Sequence, residues 1–167
     1  TYSIDTSSTT SVSLAYFGIG GNCKDDYSGY KWAFDEESGV LTISGTSTST
    51  TLGFTTAANW DNLTPIPWHD YFSAIKKVVI EEDTGITAIQ CYALSQLSNC
   101  TQIVMPTTVS DLSAYNIFAN NEQLSSIAYS EAELTENVYD LRYARSINNQ
   151  LFESAAKGLT LTVKLSS

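Results

Sequence analysis

Apolar residues return along this chain at a spacing near 25. In IKKVVIE from Ile75, CTQIVMP from Cys100 and LSSIAYS from Leu124, the first, fourth and sixth places are apolar. They are Ile75, Val78 and Ile80, then Cys100, Ile103 and Met105, then Leu124, Ile127 and Tyr129, at offsets of 25 and 24 residues. Each phrase reads as a short strand. The correspondence continues between them: Ile86, Ile89, Leu94, Leu97 and Cys100 are answered by Val109, Leu112, Phe118 and Leu124, with one residue inserted before Phe118. A third return ends in FESAAKGLTLTVKL, with Phe152 in the Phe118 place and Leu161 and Val163 opening a fourth strand. That last unit is longer and carries an insert over residues 131–144.

A period in the twenties with this apolar core is the signature of leucine-rich repeats, which carry one short strand and one turn or helical piece per coil. A single coil cannot bury its apolar edge, so stacked coils share one core. The amino-terminal third follows a different pattern. YKWAFDEESGVLTISGTST reads as a hairpin, with Trp32 and Phe34 alternating on one strand and Leu41 and Ile43 on the other. Its turn spans Glu36 to Gly39, where glycine supplies the torsion the loop needs. Pro65 and Pro67 exclude a long helix before the first repeat. Pro67, Trp68, Tyr71 and Phe72 form an aromatic plug for the end of the stack.

The combined order resembles the BspA-like leucine-rich-repeat family of bacterial surface proteins. The resemblance rests on Cys23, Trp32, the GVLTISG stretch from Gly39 to Gly45, and Pro67-Trp68 ahead of the repeats. The family's repeat phrase L-x-x-I-x-I-P-x-x-V-x-x-I falls on Cys100, Ile103, Met105, Pro106, Val109 and Leu112, and its later Phe on Phe118. The match runs from about Gly21 to Tyr129. It departs at Lys24, which stands where a Gly usually follows the family's Cys, and at Cys100, which replaces a Leu. Leu97 and Asn121 occupy the place of the family's repeat Cys. The resemblance implies an exported or surface-attached protein, linked with adhesion to host or matrix proteins and without enzyme activity.

The expected fold class is therefore α+β and β-rich, a short leucine-rich-repeat solenoid with an N-terminal β-hairpin cap. Residues 1–20 read as an extension or linker, 21–73 as the β-rich cap, 74–130 as the repeats, and 131–167 as an irregular last repeat with its insert and closing strand.

Charge narrows the partners. Eight basic against eighteen acidic residues give a net charge of −10, which argues against nucleic acid, since that binding rests on clustered Lys and Arg. Anionic membrane surfaces are disfavoured for the same reason, and no apolar run reaches the length of a spanning helix. Abundant Ser and Thr, ten tyrosines and few charges suggest a secreted or cell-surface protein. Asn62 and Asn99 match the glycosylation sequon. Three cysteines, Cys23, Cys91 and Cys100, leave at least one free or paired between chains, and a Cys91–Cys100 bridge stays open.

Candidate chemistry is sparse. His69 beside Asp70 could be cast as part of a triad, yet strand neighbours point to opposite faces and no nucleophile turn accompanies them. The cysteines and the single histidine lack zinc spacing. KDDYSG and DEESG lack the spacing of a calcium loop. Glu36 and Glu37 lie too close in sequence for an acid–base pair drawn from separate strands, and GIGG at Gly18 to Gly21 has no helix signal after it. No catalytic residue, metal or cofactor is expected.

Binding is the better expectation. With Val78, Ile80, Ile103, Met105, Ile127 and Tyr129 inward, alternation turns Lys77, Val79, Glu81, Gln102, Val104, Pro106, Ser126, Ala128 and Ser130 outward. Val79, Val104 and Ala128 form an apolar column suited to an extracellular or host protein ligand. The alternatives are a polysaccharide bound by cap aromatics Tyr27, Tyr30, Trp60 and Tyr71, or a structural spacer in a larger surface protein.

Overall fold

Alternating apolar residues on either side of DEESG make the hairpin that starts the main sheet. Strand β1 (Ile19–Asn22) pairs antiparallel with β2 (Lys31–Asp35), and β2 with β3 (Val40–Ser44), setting Trp32 against Ile43 and Phe34 against Leu41. Phe34, Leu41 and Ile43 are buried in the core. Gly39 closes the turn at φ +74°, donating its N–H to the Asp35 carbonyl at 2.8 Å. A Cβ there would meet the Lys76 Cγ at 2.8 Å, so the turn needs glycine for space as well as torsion. The computed structural model describes residues 19–22 (backbone), 30–53, 63–64, 66–153 and 161–166.

Beyond the hairpin the pairing becomes parallel. Strands β5 (Lys77–Ile80), β7 (Gln102–Val104), β9 (Ser126–Ala128), β10 (Val138–Asp140) and β12 (Thr162–Lys164) extend the main sheet in the order β1-β2-β3-β5-β7-β9-β10-β12. Two-residue strands β4 (Thr51–Leu52), β6 (Ala88–Ile89), β8 (Asp111–Leu112) and β11 (Ser146–Ile147) form a second sheet ordered β11-β8-β6-β4. Lys77 lies beside Gln102 and Gln102 beside Ser126, so the 25- and 24-residue offsets of the sequence are the registers of the sheet. Leu41, Val78, Ile103, Ile127 and Tyr139 consequently fall in one column, each at most 1% exposed. Leu52, Ile89 and Leu112 bury the second sheet's inner face.

A third set of contacts closes each unit. The Leu94 and Gln96 N–H groups donate to the Ile117 and Ala119 carbonyls at 3.1 and 2.9 Å, and Phe118 N–H to the Leu151 carbonyl at 3.0 Å. Phe118 and Phe152 stack with centroids 5.4 Å apart, in the equivalence their sequence places predict. Tyr92 and Asn116, and again Gln96 and Asn120, take left-handed backbone at φ between 56° and 64°. These positive-φ residues interrupt a right-handed helix, which corrects the expected helical component. Among the described residues the named helical elements are single 3-10 turns at His69–Tyr71, Glu82–Thr84 and Glu131–Glu133. The fold is β-rich, with two sheets.

The last third also differs from expectation. Residues 131–144 are not a simple insert, because they contain β10, paired with β9 only 12 residues earlier (Val138 beside Ser126). Strand β12 then follows β10 at an offset of 24, so it lies one strand further along the sheet than the sequence suggests. The short β9–β10 connection has no strand in the second sheet, where β11 pairs directly with β8.

Asn121 is fully buried. Its side-chain oxygen accepts the Leu97 N–H at 2.9 Å and its amide donates to the Leu94 carbonyl at 2.7 Å, tying two successive units together. Cys91 and Cys100 are free thiols. Cys100 is a core residue, and burial pushes its thiol up to about 12.

Two outcomes are expected. Asn121→Leu should destabilise the fold by about 2–6 kcal/mol in urea titration, since two buried backbone groups lose their partner at about 1–3 kcal/mol each. Alkylation of Cys100 near pH 8, followed by peptide mapping, should proceed at the rate of unfolding, because neither thiolate nor access exists in the folded state.

Candidate functional site

The outward face of the main sheet is built in rows by the same registers. One row runs Val40, Lys77, Gln102, Ser126, Val138 and Thr162. The next runs Thr42, Val79, Val104 and Ala128, with Asp140 and Lys164 continuing on β10 and β12. The apolar column read from the sequence is therefore contiguous, but it is not uniformly open.

Glu81 is exposed, and Lys77, Val79 and Gln102 are half-buried. Val104, Ser126 and Ala128 are buried, at 6%, 1% and 0% exposure, which corrects their assignment to a contact surface. The physical reason is the short connection after β9, which folds back over this part of the sheet. Glu131 ion-pairs with Lys77 two strands away. The Thr135 N–H donates to the Ser126 hydroxyl at 3.1 Å. Arg142 donates to Glu133 at 2.7 Å, while its Nε lies 3.3 Å from the buried Asp140 carboxylate. An acidic strap is thus fastened at three points. Thr42 and Val79 lie beyond it, on the side nearer the hairpin.

The cap aromatics have other work. Tyr30 is fully buried and its hydroxyl donates to the Ser49 carbonyl, so it cannot offer a face to a sugar. Tyr71 is half-buried, stacked on Phe34 at 5.2 Å and tilted against Trp32 at 6.2 Å. Trp68 is buried, its ring 6.3 Å from Trp32. These rings pack the cap because the hairpin offers them its apolar face. Tyr27 and Trp60 lie outside the described residues.

His69 Nδ1 sits 3.1 Å from Asp70 Oδ1 within one 3-10 turn, the carboxylate largely in water. Among the described residues no group of three or more His, Cys, Asp or Glu is placed to hold a metal ion, and no helix is long and apolar enough to cross a membrane.

A cleft of about 470 Å³ opens at the corner between the two sheets, lined by Thr107, Thr108, Ser110, Arg142, Tyr143 and Arg145 together with Ala144 and Ser166. Both arginines of the chain line it. The sequence does bring Arg142, Tyr143 and Arg145 close together, but nothing in it shows that Thr107 to Ser110 lie opposite. Beneath the cleft, Asp111 accepts hydrogen bonds from the Ser113 N–H and the Ser146 hydroxyl, both at 2.9 Å, fastening β8 to β11. The Ser113 hydrogen bonds, then that of Ser146, hold its carboxyl below the usual aspartate value.

No family model matches the chain, and no curated protein or solved structure gives a significant match to it.

A depressed folded-state pKa contributes stability above the unfolded value, and that stability is lost as pH falls through the folded one. Melting temperature should therefore fall between about pH 5 and pH 2. Asp111→Asn should melt lower at neutral pH and show a shallower acid decline, read by circular dichroism across that range.

Proposed function

We propose that the chain is a short leucine-rich-repeat solenoid of the BspA-like type, capped at its amino-terminal end by the hairpin and the Trp68 cluster. In this reading it is a non-catalytic, secreted or cell-surface interaction module that binds an extracellular or host protein. The observation that carries it is the parallel ladder at 25- and 24-residue offsets, the register in which leucine-rich repeats stack.

The contact surface is narrower than the sequence suggests. It consists of Thr42, Val79 and Glu81 beyond the strap, with the half-buried Lys77 and Gln102 at the strap's edge. Three strands at about 4.8 Å spacing span only about 10 Å. A patch so narrow covers much less than the roughly 800 Å² per partner of a stable interface, so one module binds weakly and gains strength from repetition in an array. The spacer and cap-aromatic readings draw no comparable support: the face has a half-exposed apolar centre at Val79, and Tyr30 and Tyr71 are committed to packing.

Solid-phase binding to a panel of immobilised extracellular-matrix proteins tests this. Val79→Glu should reduce retention at least about tenfold, the cost of one desolvated charge at the contact, with an unchanged melting curve. Glu131→Gln should increase retention by loosening the strap. Equal retention of Val79→Glu and the unaltered chain would rule this surface out.

A further inference from the structure

Residues 107–110 and 141–145 are neighbours on the second-sheet side and separated on the main-sheet side. The Ser110 carbonyl accepts the Arg145 N–H at 2.7 Å and the Ser146 N–H at 3.3 Å, as adjacent strands β8 and β11 require. In the main sheet, β9 lies between the strands that lead into these two stretches. The unit of β9 leaves the stack at this corner and returns as the strap, and the corner cleft lies where it departs. The cleft is therefore built by the topology.

Its side chains are differently committed. Arg142 is matched by Glu133 and Asp140. Its guanidinium also sits over the Tyr143 ring, 5.3 Å from the centroid, which leaves the ring's other face for a ligand. Tyr143 is 46% exposed, yet its ring is fixed edge-on to Tyr129 at 4.7 Å and its N–H donates to the Tyr129 hydroxyl. Arg145 is exposed and has no ion pair among the described residues. On the opposite wall the Thr108 hydroxyl donates to the Ile86 carbonyl at 2.6 Å, so toward a ligand its oxygen acts as an acceptor. Thr107 donates its N–H and hydroxyl to Glu82.

We propose that this cleft binds a carboxylated saccharide residue, a uronic or sialic acid unit, with its carboxylate on Arg145 and its ring against Tyr143. A pyranose presents a flat face of C–H groups to an aromatic ring, and its hydroxyls donate to acceptors such as Thr108 and Ser110. A guanidinium pairs with a carboxylate through two parallel N–H bonds. The carboxylates of Glu82, Glu133 and Asp140 around the site oppose a multiply charged phosphate or sulfate and leave room for one negative charge. An acidic peptide fits less well, because Ala144 is the one aliphatic residue among the described residues that line the cleft, and a peptide's neighbouring side chains would find little apolar surface there. The site is separate from the sheet face and does not depend on it.

The test is calorimetric and NMR titration of the full chain with trigalacturonic acid and with sialyllactose. Controls are the carboxyl methyl esters of both sugars and a glutamate-rich peptide. One of the two acidic sugars should bind, its ester at least about tenfold more weakly, and Arg145→Gln should lose about tenfold or more, as expected for a lost charge-assisted pair. Tyr143→Ala should weaken binding as well, while Val79→Glu leaves it unchanged. The ester comparison uses the unaltered chain and so does not depend on how the variants fold. Absence of binding by both sugars at millimolar concentration, equal binding of the esters, or peptide binding as tight as the sugar would each overturn the proposal.

Discussion

Register is the constraint on which the structure depends: each strand residue lies beside its counterpart one unit away. Side chains alternate faces with a period of two, so a slip of one residue would move every core residue to the outside. Leu41, Val78, Ile103, Ile127 and Tyr139 stay in one column only because successive units return to the sheet in step. The third side enforces the same step. The backbone bonds from Leu94 and Gln96 to Ile117 and Ala119, and the buried Asn121 between units, have partners in one register alone. Asn121 supplies two hydrogen bonds in which both members are buried.

The parts of the fold legible in the sequence are those where burial follows a local rule. The strand phrases at Ile75, Cys100 and Leu124 repeat their apolar places because the core repeats. The hairpin is visible because Gly39 marks its turn. The Phe118 and Phe152 equivalence survives a long intervening segment because both rings fill the same layer. Less was legible where the outcome depends on a distant segment. VYD at Val138 to Asp140 is too short to identify as a strand. Alternation correctly places Val104, Ser126 and Ala128 on the outward side, but it cannot say that residues 129–137 return over them. Tyr30 looks like a surface aromatic in composition, yet its hydroxyl has a backbone acceptor that only the folded loop at Ser49 supplies.

Carboxylates in this acidic chain are managed locally. Asp35 receives the Ser38 hydroxyl and the Glu37 N–H within its own turn, and Asp111 receives the Ser113 and Ser146 groups between strands. At these two sites hydroxyl and backbone donors take the place of a cation. Two cations hold the strap: Lys77 pairs with Glu131, 54 residues on, and Arg142 with Glu133, nine residues back.

The strap and the cleft have one cause. A full unit contributes one strand to each sheet, whereas the β9 unit contributes only to the main sheet. The main sheet therefore gains one strand spacing, about 4.8 Å, that the second sheet does not. The chain released from the second sheet must still connect β9 to a parallel neighbour, and a parallel pair cannot be joined by a tight turn. It crosses over the outward face, where Lys77, Ser126 and Arg142 receive it. The same departure leaves a corner unfilled beside Arg145 and Tyr143. Lengthening the connection to a complete unit would fill the corner and uncover the sheet together, so the two surfaces are coupled through the length of one short segment.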